Sequence, residues 1–278
     1  MQLHIAVLLF GLAGLFGKFL HLSSIEIVFG RAAFAAFALW PVVMVLRKRR
    51  RVTDWSRILA IALAGVVLAF HWGSFFYAIQ VSTVAIGLLT FASFPAFVTL
   101  LEPWVFGERW RGIDLVTALL VIVGLFVIVP RFHLTDQITR GALWGICSGI
   151  LFAILSLLNR RLVRNQSALS LAGMENLVAA IVLLPFLKHY GTWPTVSQVL
   201  LLAVLGIICT AIAHALFIMS LSRLRAQPAS IAATLEPLYG IILAAIFLGE
   251  IPTRRTAIGG AIIIAAVIVS GTRRAGRK

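Results

Sequence analysis

The sequence predicts an all-α integral membrane protein with ten transmembrane helices, arranged as two inverted five-helix repeats. Three observations predict this fold: an apolar composition, ten continuous apolar runs, and a second half that resembles the first. The 278 residues are 61% hydrophobic and 12% charged, with a mean hydropathy of +1.05, whereas a soluble domain carries about 25% charged residues. Too little polar surface remains to cover a core in water, so we expect the chain to lie in a bilayer.

Ten apolar runs follow one another along the chain. They cover residues 3–20, 25–46, 58–79, 83–106 and 112–129 in the first half, and 141–162, 169–187, 199–221, 228–248 and 256–271 in the second. About 20 apolar residues cross a bilayer as a helix, and lipid cannot satisfy the backbone of any open structure. The runs are continuous, whereas the strands of a membrane barrel alternate. Short connections such as 21–24 predict that successive helices are antiparallel neighbours, with no room for an extramembrane domain.

Lysines and arginines between the runs predict the orientation. One set of alternate loops carries 17 of them and the other set carries five, and cytoplasmic loops hold the excess. Both termini are therefore predicted to be cytoplasmic. The net charge of +15 belongs to these loops, so we do not expect a nucleic-acid partner. Cys147 and Cys209 lie inside apolar runs without metal-ligand or disulfide spacing, and we expect no cofactor and no metal.

An internal repeat relates the two halves. With a constant offset of 142 and no gap, Phe75–Glu108 aligns with Phe217–Glu250. The aligned identities are Phe75 with Phe217, Pro95 with Pro237, Leu101 with Leu243, Gly107 with Gly249, and Glu108 with Glu250. We divide the chain into a first repeat, 1–133, and a second, 134–278. Because five helices are an odd number, the second copy must enter the membrane inverted, an arrangement typical of secondary transporters.

The residues around this repeat resemble a known signature. The stretch 226–237 (AQPASIAATLEP), followed by Leu248-Gly249-Glu250 and Gly259-Gly260, resembles the EamA-type, ten-helix branch of the drug/metabolite transporter superfamily. Pro95 with Phe106-Gly107-Glu108 forms a looser copy, and Arg31 matches an arginine common in that family. In the first repeat Phe94 precedes Pro95, where Glu236 precedes Pro237, so an acidic residue is present on one side only.

The resemblance implies a function. It implies an exporter of small metabolites in the bacterial cytoplasmic membrane, working by alternating access, and within the family the chain looks most like bacterial aromatic amino-acid exporters. The partners it implies are a small-molecule substrate, such as an amino acid, and the lipid bilayer. The oligomeric state stays open, and a monomer is compatible with the sequence.

Ionisable groups inside the spans are the first candidates for the site, because a charge in hydrocarbon is costly. His71 and His214 occupy nearly equivalent places in the third helix of each repeat, and Glu236 lies in mid-span beside a proline. Each could instead be a hydrogen-bonded structural residue. The predicted substrate-binding set adds aromatic and polar neighbours: His71, Trp72, Phe75, Phe91, Phe94, Trp144, Ser148, His214, Glu236 and Tyr239.

A second set is predicted to act in gating or helix packing. It consists of Gly11, Gly14, Pro95, Pro237, Arg31 and Glu175. Glycines at three- and four-residue spacing in the first and sixth runs allow close helix approach, as a static packing face or as a moving seam. Lys18 and Glu102, near span ends, are predicted to form ion pairs or to reach the interface. Glu108 and Glu250 are predicted to meet loop cations or to cap neighbouring groups.

Two other functions compete with a carrier. A membrane-embedded enzyme acting on lipid-like substrates would need a nucleophile or metal cluster, and the HExxH and GxSxG patterns do not occur. A passive channel or facilitator is the third possibility. No P-loop occurs either, so ATP hydrolysis is not expected. The identity of the substrate, the direction of net flux and proton coupling are left open by the sequence.

Overall fold

The computed structural model describes residues 2–49, 55–107, 112–129, 133–189 and 194–275, and the regular elements in these ranges are helices. The first half holds α1 (Gln2–Phe19), α2 (Ser24–Arg49), α3 (Trp55–Val81), α4 (Val84–Phe91), α5 (Phe94–Phe106) and α6 (Gly112–Ile128). The second half holds α7 (Gln137–Leu162), α8 (Ala168–Leu183), a 3-10 segment (Leu184–His189), α9 (Val196–Gly206), a π segment (Ile207–Ile212), α10 (Ala213–Leu221), α11 (Ala226–Ala233), α12 (Glu236–Leu248) and α13 (Arg254–Ala275).

Eight helical segments within the described ranges are long and apolar enough to cross a membrane. They are Gln2–Phe19, Ser24–Val45, Trp55–Val81, Val84–Phe106, Gln137–Leu162, Ala168–Leu187, Val196–Leu221 and Ala229–Leu248. The fifth predicted run forms a shorter apolar helix, Leu115–Ile128, and the tenth forms α13. The all-helical membrane fold is confirmed, while the count of ten spans and the inverted arrangement stay predictions.

The fourth and ninth predicted spans are each broken in the middle. One break separates α4 from α5 at residues 92–93, and the other separates α11 from α12 at residues 234–235. The sequence suggested that Pro95 and Pro237 lie inside continuous helices. In the structure each of them lies in the first turn of a new helix. Proline fits there because its missing N–H would have no partner in any case.

The helix boundaries repeat with the same offset as the sequence. Adding 142 to the bounds of α4 gives those of α11, and adding it to the bounds of α5 gives those of α12. Gly107 and Gly249 then end the two spans in the same left-handed conformation, both at φ 68°. Glu108 lies outside the described residues. The matching bounds show that the two halves share local structure in this region as well as sequence.

Glycines hold the two halves together at close range. A Cβ on Gly11 of α1 would lie 3.0 Å from Glu236 O and from Gly240 N of α12. In the same way a Cβ on Gly149 of α7 would lie 3.0 Å from Phe91 O of α4. The first helix of each half thus packs against the broken fourth span of the other half. Such glycine contacts let the backbones of two helices touch.

Candidate functional site

A small cavity lies at the centre of the molecule, where α1, α2, α3, α4, α7, α10 and α12 meet. Its lining residues are Phe10, Ala13, Arg31, His71, Trp72, Phe75, Phe91, Phe152, His214 and Glu236. The cavity measures about 20 Å³, which holds about one water molecule. Ligand clefts measure roughly 300 Å³ or more. The cavity in this structure is therefore smaller than a solute, and it must widen before a solute can occupy it.

Arg31 of α2 brings a permanent positive charge to the cavity wall. Its side chain is 1% exposed, and its Nε donates a hydrogen bond to Thr210 Oγ1 at 2.9 Å. The guanidinium carbon lies 3.9 Å from the centre of the Trp72 ring and 5.2 Å from that of Phe76. Cation–π contacts are strongest when the cation is desolvated. Arg31, expected in the gating set, thus lies at the candidate site.

The π segment explains how Arg31 is held. Thr210 Oγ1 donates to Leu205 O, five residues earlier, at 2.7 Å, so the hydroxyl is oriented by the wider π turn. Its oxygen then accepts the bond from Arg31. Residue Gly206, which begins this turn, has no Cβ, and one added there would lie 2.8 Å from Arg31 O. A local widening of the helix backbone therefore positions the Thr210 hydroxyl that accepts the hydrogen bond from Arg31 Nε. Single π turns of this kind are frequent at functional sites.

Glu236 brings a carboxylate to the same cavity. It is the first residue of α12 and is buried, at the end of a helix where free backbone N–H groups favour negative charge. Because Gly11 has no side chain, α1 lies directly against the backbone of Glu236. The cavity therefore combines a guanidinium, a carboxylic group, two imidazole rings and aromatic walls.

His71 is oriented by Ser148 of α7. The Ser148 hydroxyl lies 2.8 Å from His71 Nδ1 and also donates to His71 O at 3.1 Å. The imidazole ring also packs at a tilt against two aromatic neighbours, with ring centres 4.8 Å from Phe152 and 5.4 Å from Phe91. Ser148 thus acts through His71 and does not line the cavity itself.

His214 connects the cavity to a buried polar cluster. Its Nε2 lies 2.8 Å from Glu175 Oε2, and Asn159 Nδ2 donates to the same oxygen at 3.3 Å. The His214 ring also contacts Trp72 edge-on, with centres 5.9 Å apart. Glu175, expected in the gating set, therefore lies behind His214 and outside the cavity lining.

Several expected residues lie away from the cavity. Trp144 is 43% exposed, with its ring 5.3 Å from that of Tyr77 on the outer side of α7. Phe94 is buried behind Phe91, stacked at 5.0 Å, and Tyr239 packs with its Cβ against Gly11. Gly14, Pro95 and Pro237 are likewise not among the lining residues and act in packing or in breaking the spans.

Phe10, Ala13 and Phe152 line the cavity although they were not in the predicted set. Phe152 is one helical turn beyond Ser148 on α7, so the i+4 spacing was the signal that could have identified it. Phe10 and Ala13 flank the glycine face of α1. Thr210 carried no signal in the sequence, because its role depends on the π segment.

Comparison with known proteins places the chain among transporters. It matches the profile of the EamA-like transporter family over residues 2–129 and again over 139–272. It is 26% identical over 280 residues to the uncharacterized transporter YxxF of Bacillus subtilis, covering 98% of this chain and 89% of that protein. It is 28% identical over 247 residues to the S-adenosylmethionine uptake transporter of Rickettsia bellii, covering 89% and 83%. A crystal structure with a TM-score of 0.70 and 18% identity covers 100% of this chain and 98% of the other, and has the same fold.

Proposed function

The chain belongs to the EamA-like transporter family, and from that premise we propose that it carries zwitterionic solutes with an aromatic or apolar group across the bacterial cytoplasmic membrane by alternating access. Its relatives are named as transporters, one of them for S-adenosylmethionine, so the chain is a multi-pass membrane transporter of small molecules. The solute class follows from the cavity.

The observation that carries the proposal is the presence of Arg31 and Glu236 on one aromatic cavity. The guanidinium suits a carboxylate, and the carboxylic group suits an ammonium. The rings of Phe75, Phe91 and Phe152 suit a flat apolar side chain. An α-amino acid with an aromatic side chain has these three parts. S-adenosylmethionine, named for the Rickettsia relatives, also combines an amino-acid group with an aromatic ring system.

Alternating access is supported by the small cavity with buried walls and by the two seams beside it. One seam lies between α1 and α12, and the other lies between α7 and the broken span formed by α4 and α5. We divide the chain into the repeats 1–133 and 134–278, with ten spans in all, inserted in opposite directions and with both termini in the cytoplasm. Each seam then joins the first helix of one repeat to the broken fourth span of the other. Opening one seam at a time would expose the cavity to one side at a time.

The direction of net flux is not part of the proposal. Amino-acid export, which the resemblance implied, has no support from the relatives, and those with a named substrate are uptake transporters. A secondary carrier works in either direction according to its gradients. The proposal therefore concerns the solute and the mechanism.

Counterflow in proteoliposomes tests both. Vesicles loaded with unlabelled L-phenylalanine should take up labelled L-phenylalanine against its concentration ratio, because a carrier exchanges and a channel does not. Phenethylamine, which lacks the carboxylate, and 3-phenylpropionate, which lacks the amine, should compete poorly. Labelled S-adenosylmethionine and L-alanine complete the panel.

Two results would overturn the proposal. If phenethylamine and 3-phenylpropionate competed as well as L-phenylalanine, Arg31 and Glu236 would not be recognising the charged groups of the solute. Equilibration without trans-acceleration would indicate a channel. Glu236→Gln and His71→Ala should lower the exchange rate while membrane insertion is retained. Glu26→Gln is a matched control, because Glu26 only caps α2 through Ser23.

A further inference from the structure

A polar cluster lies behind the cavity in the otherwise apolar space between α7, α8 and α10. Glu175 and Asn159 are both 0% exposed, and His214 is 1% exposed. Glu175 Oε2 receives two contacts, from Asn159 Nδ2 at 3.3 Å and from His214 Nε2 at 2.8 Å. Of these three residues only His214 lines the cavity, so it is the link between the cluster and the solute site.

Two oxygens of this cluster are buried without a hydrogen-bond partner among the described residues. They are Glu175 Oε1 and Asn159 Oδ1. The Glu175 carboxyl group and the Asn159 amide are already joined by one hydrogen bond, which Asn159 Nδ2 donates to Glu175 Oε2. Buried polar atoms are normally hydrogen-bonded, and two acceptors cannot satisfy each other. If Glu175 is a carboxylate, these two oxygens therefore have no hydrogen-bond donor.

One proton supplies the missing donor. A carboxylic acid and a primary amide form a closed pair of hydrogen bonds, in which the amide N–H donates to the acid carbonyl and the acid O–H donates to the amide carbonyl. With a proton on Glu175 Oε1, Asn159 Oδ1 gains a donor, and Oε2 still accepts from Asn159 and His214. Turning the Asn159 amide over would instead place Oδ1 against Oε2 and oppose two acceptors. A protonated acid can thus account for both unpartnered oxygens, whereas a carboxylate leaves both without a donor.

We propose that Glu175, closed onto Asn159 and linked to the cavity by His214, is the site of an exchangeable proton that couples transport to a pH gradient. The solute whose transport would be coupled to this proton is the one given by the proposed function, on which this part of the inference rests. Proton exchange between the cavity and Glu175 passes through the His214 imidazole: Nε2 gives its proton to Glu175 Oε2 as the other ring nitrogen takes one from the cavity, and rotation of the carboxyl group then turns the acid O–H toward Asn159 Oδ1. Three other titratable or charged groups of the described residues, Arg31 of α2, His71 of α3 and Glu236 of α12, line the same cavity as His214.

A metal ion fits this cluster poorly. Among the described residues there is no group of three or more histidine, cysteine, aspartate or glutamate side chains that could hold one. The cluster offers two unpaired oxygens and an imidazole, whereas hard cations such as calcium take six or more oxygen ligands. Transport driven by a sodium gradient in place of a pH gradient would therefore contradict the assignment.

The variant Glu175→Gln separates coupling from transport. Its amide has the shape of the protonated acid and supplies an N–H toward Asn159, so we expect it to fold and to exchange solute. With the membrane potential clamped, one pH unit drives about tenfold accumulation per coupled proton. Wild type should approach that ratio for L-phenylalanine, and Glu175→Gln should stop at equal concentrations while keeping counterflow. The matched control Glu26→Gln should behave like wild type. Accumulation by Glu175→Gln at the wild-type ratio overturns the proposal.

Infrared spectroscopy tests the proton without any cargo. The C=O stretch of protonated carboxylic acids in the purified wild type should contain a component that is lost in Glu175→Gln and retained in Glu26→Gln, while any component from the other buried carboxyl groups stays in both. In Asn159→Ala, which keeps Glu175, the band should shift because its hydrogen-bond partner is gone. A spectrum unchanged in both cluster variants overturns the proton site. If L-phenylalanine is not carried at all, the proposed function fails while this measurement still decides the proton site.

Discussion

Arg31 and Trp72 form a cation–π pair at the wall of the cavity, with the guanidinium carbon 3.9 Å from the ring centre. The two residues come from α2 and α3, and both line the cavity. Because Thr210 accepts a hydrogen bond from Nε at the same time, both the orientation and the position of the guanidinium are fixed in the cavity wall. A charge that is fixed in this way can select for the position of an anionic group on the solute.

Arg31→Lys should therefore weaken the solute site while keeping the charge. Lysine has no planar face to stack on Trp72 and no Nε for Thr210. A desolvated cation–π contact contributes about 2 kcal/mol, so the half-saturation concentration in counterflow should rise about tenfold or more. Arg255→Lys, at an exposed position near the start of α13, should leave it unchanged. An unaltered value in Arg31→Lys would show that the residue is structural.

Much of the fold and part of the site follow from the sequence, because hydrocarbon imposes strict conditions. Each span must be apolar and helical over most of its length, which is why the ten apolar runs correspond to helical segments even where two of them are broken. Ionisable residues within spans must face the protein interior. For that reason His71, His214 and Glu236 all line the cavity. The 142-residue offset was visible in Pro95 and Pro237, and the helix boundaries repeat it.

The sequence did not show which side chains of a helix face the cavity or how Arg31 is held. These features depend on helix rotation and on local backbone geometry, which hydropathy does not report. Trp144 and Phe152 are both aromatic residues of α7, yet only Phe152 is on the inward face. The inward face is defined by Gly145 and Gly149, and Trp144 is rotated about 100° from Gly145. The π segment is equally apolar in either helix form, so the anchoring of Arg31 by Thr210 could not be foreseen.

This rotation gives a test of the cavity. Phe152→Ala removes a ring that lies 4.8 Å from His71 and 5.2 Å from Phe217, so it should change the competition profile in counterflow toward bulkier solutes. Trp144→Ala, with the ring against Tyr77, should leave the profile as in wild type. A change caused by Trp144→Ala and not by Phe152→Ala would place the solute elsewhere.

Close helix contact makes Gly11 sensitive to a single methyl group. A Cβ there meets backbone atoms of Glu236 and Gly240 at 3.0 Å, and backbone cannot yield as a side chain can. Gly11→Ala should lower the free energy of unfolding by about 1–3 kcal/mol, measured by thermal unfolding in detergent.

Gly73 is the matched control for that substitution, because a Cβ at this helical position meets nothing within 4 Å. Gly73→Ala should be neutral or raise stability by up to about 1 kcal/mol, through helix propensity alone. Equal effects of the two substitutions would argue against the tight seam between α1 and α12.

Two ion pairs between the halves differ in burial, and they should therefore differ in their contribution to the free energy of unfolding. Arg160 and Glu102 form a buried pair, with the Arg160 guanidinium also 4.0 Å from the Phe106 ring centre. Lys18 and Glu250 are 4.0 Å apart, and both side chains are 26% exposed. These contacts agree with the ion pairs predicted for Lys18 and Glu102. Arg160, which counted as a loop cation in the orientation argument, lies instead within α7.

Glu102→Gln should lower the free energy of unfolding by about 3–5 kcal/mol, because it leaves a buried guanidinium without its carboxylate. Glu250→Gln should cost about 0–1 kcal/mol, since its pair is partly hydrated and the amide oxygen can still accept from Val84 N. Chemical unfolding of both variants in the same detergent compares them. A larger loss from Glu250→Gln would reverse the order expected from burial.

Opposite insertion of the two halves can be tested at the equivalent ends of the broken spans. Residues 108 and 250 are related by the 142-residue offset, and each follows a left-handed glycine, Gly107 or Gly249. With five helices in each repeat, Glu108→Cys should react with an impermeant maleimide from the cytoplasmic side, and Glu250→Cys from the other side. The native Cys147 and Cys209 are replaced by alanine in all variants.

Exposed loop positions calibrate that labelling experiment. Asn165→Cys, between α7 and α8, should report the cytoplasmic side, and His133→Cys, between α6 and α7, the opposite side. Reaction of residues 108 and 250 from one and the same side would mean that the halves are inserted in parallel. A central cavity could then not be exposed to the two sides by exchanging the conformations of equivalent seams, because the seams at α1–α12 and at α7–α4 would open to the same compartment.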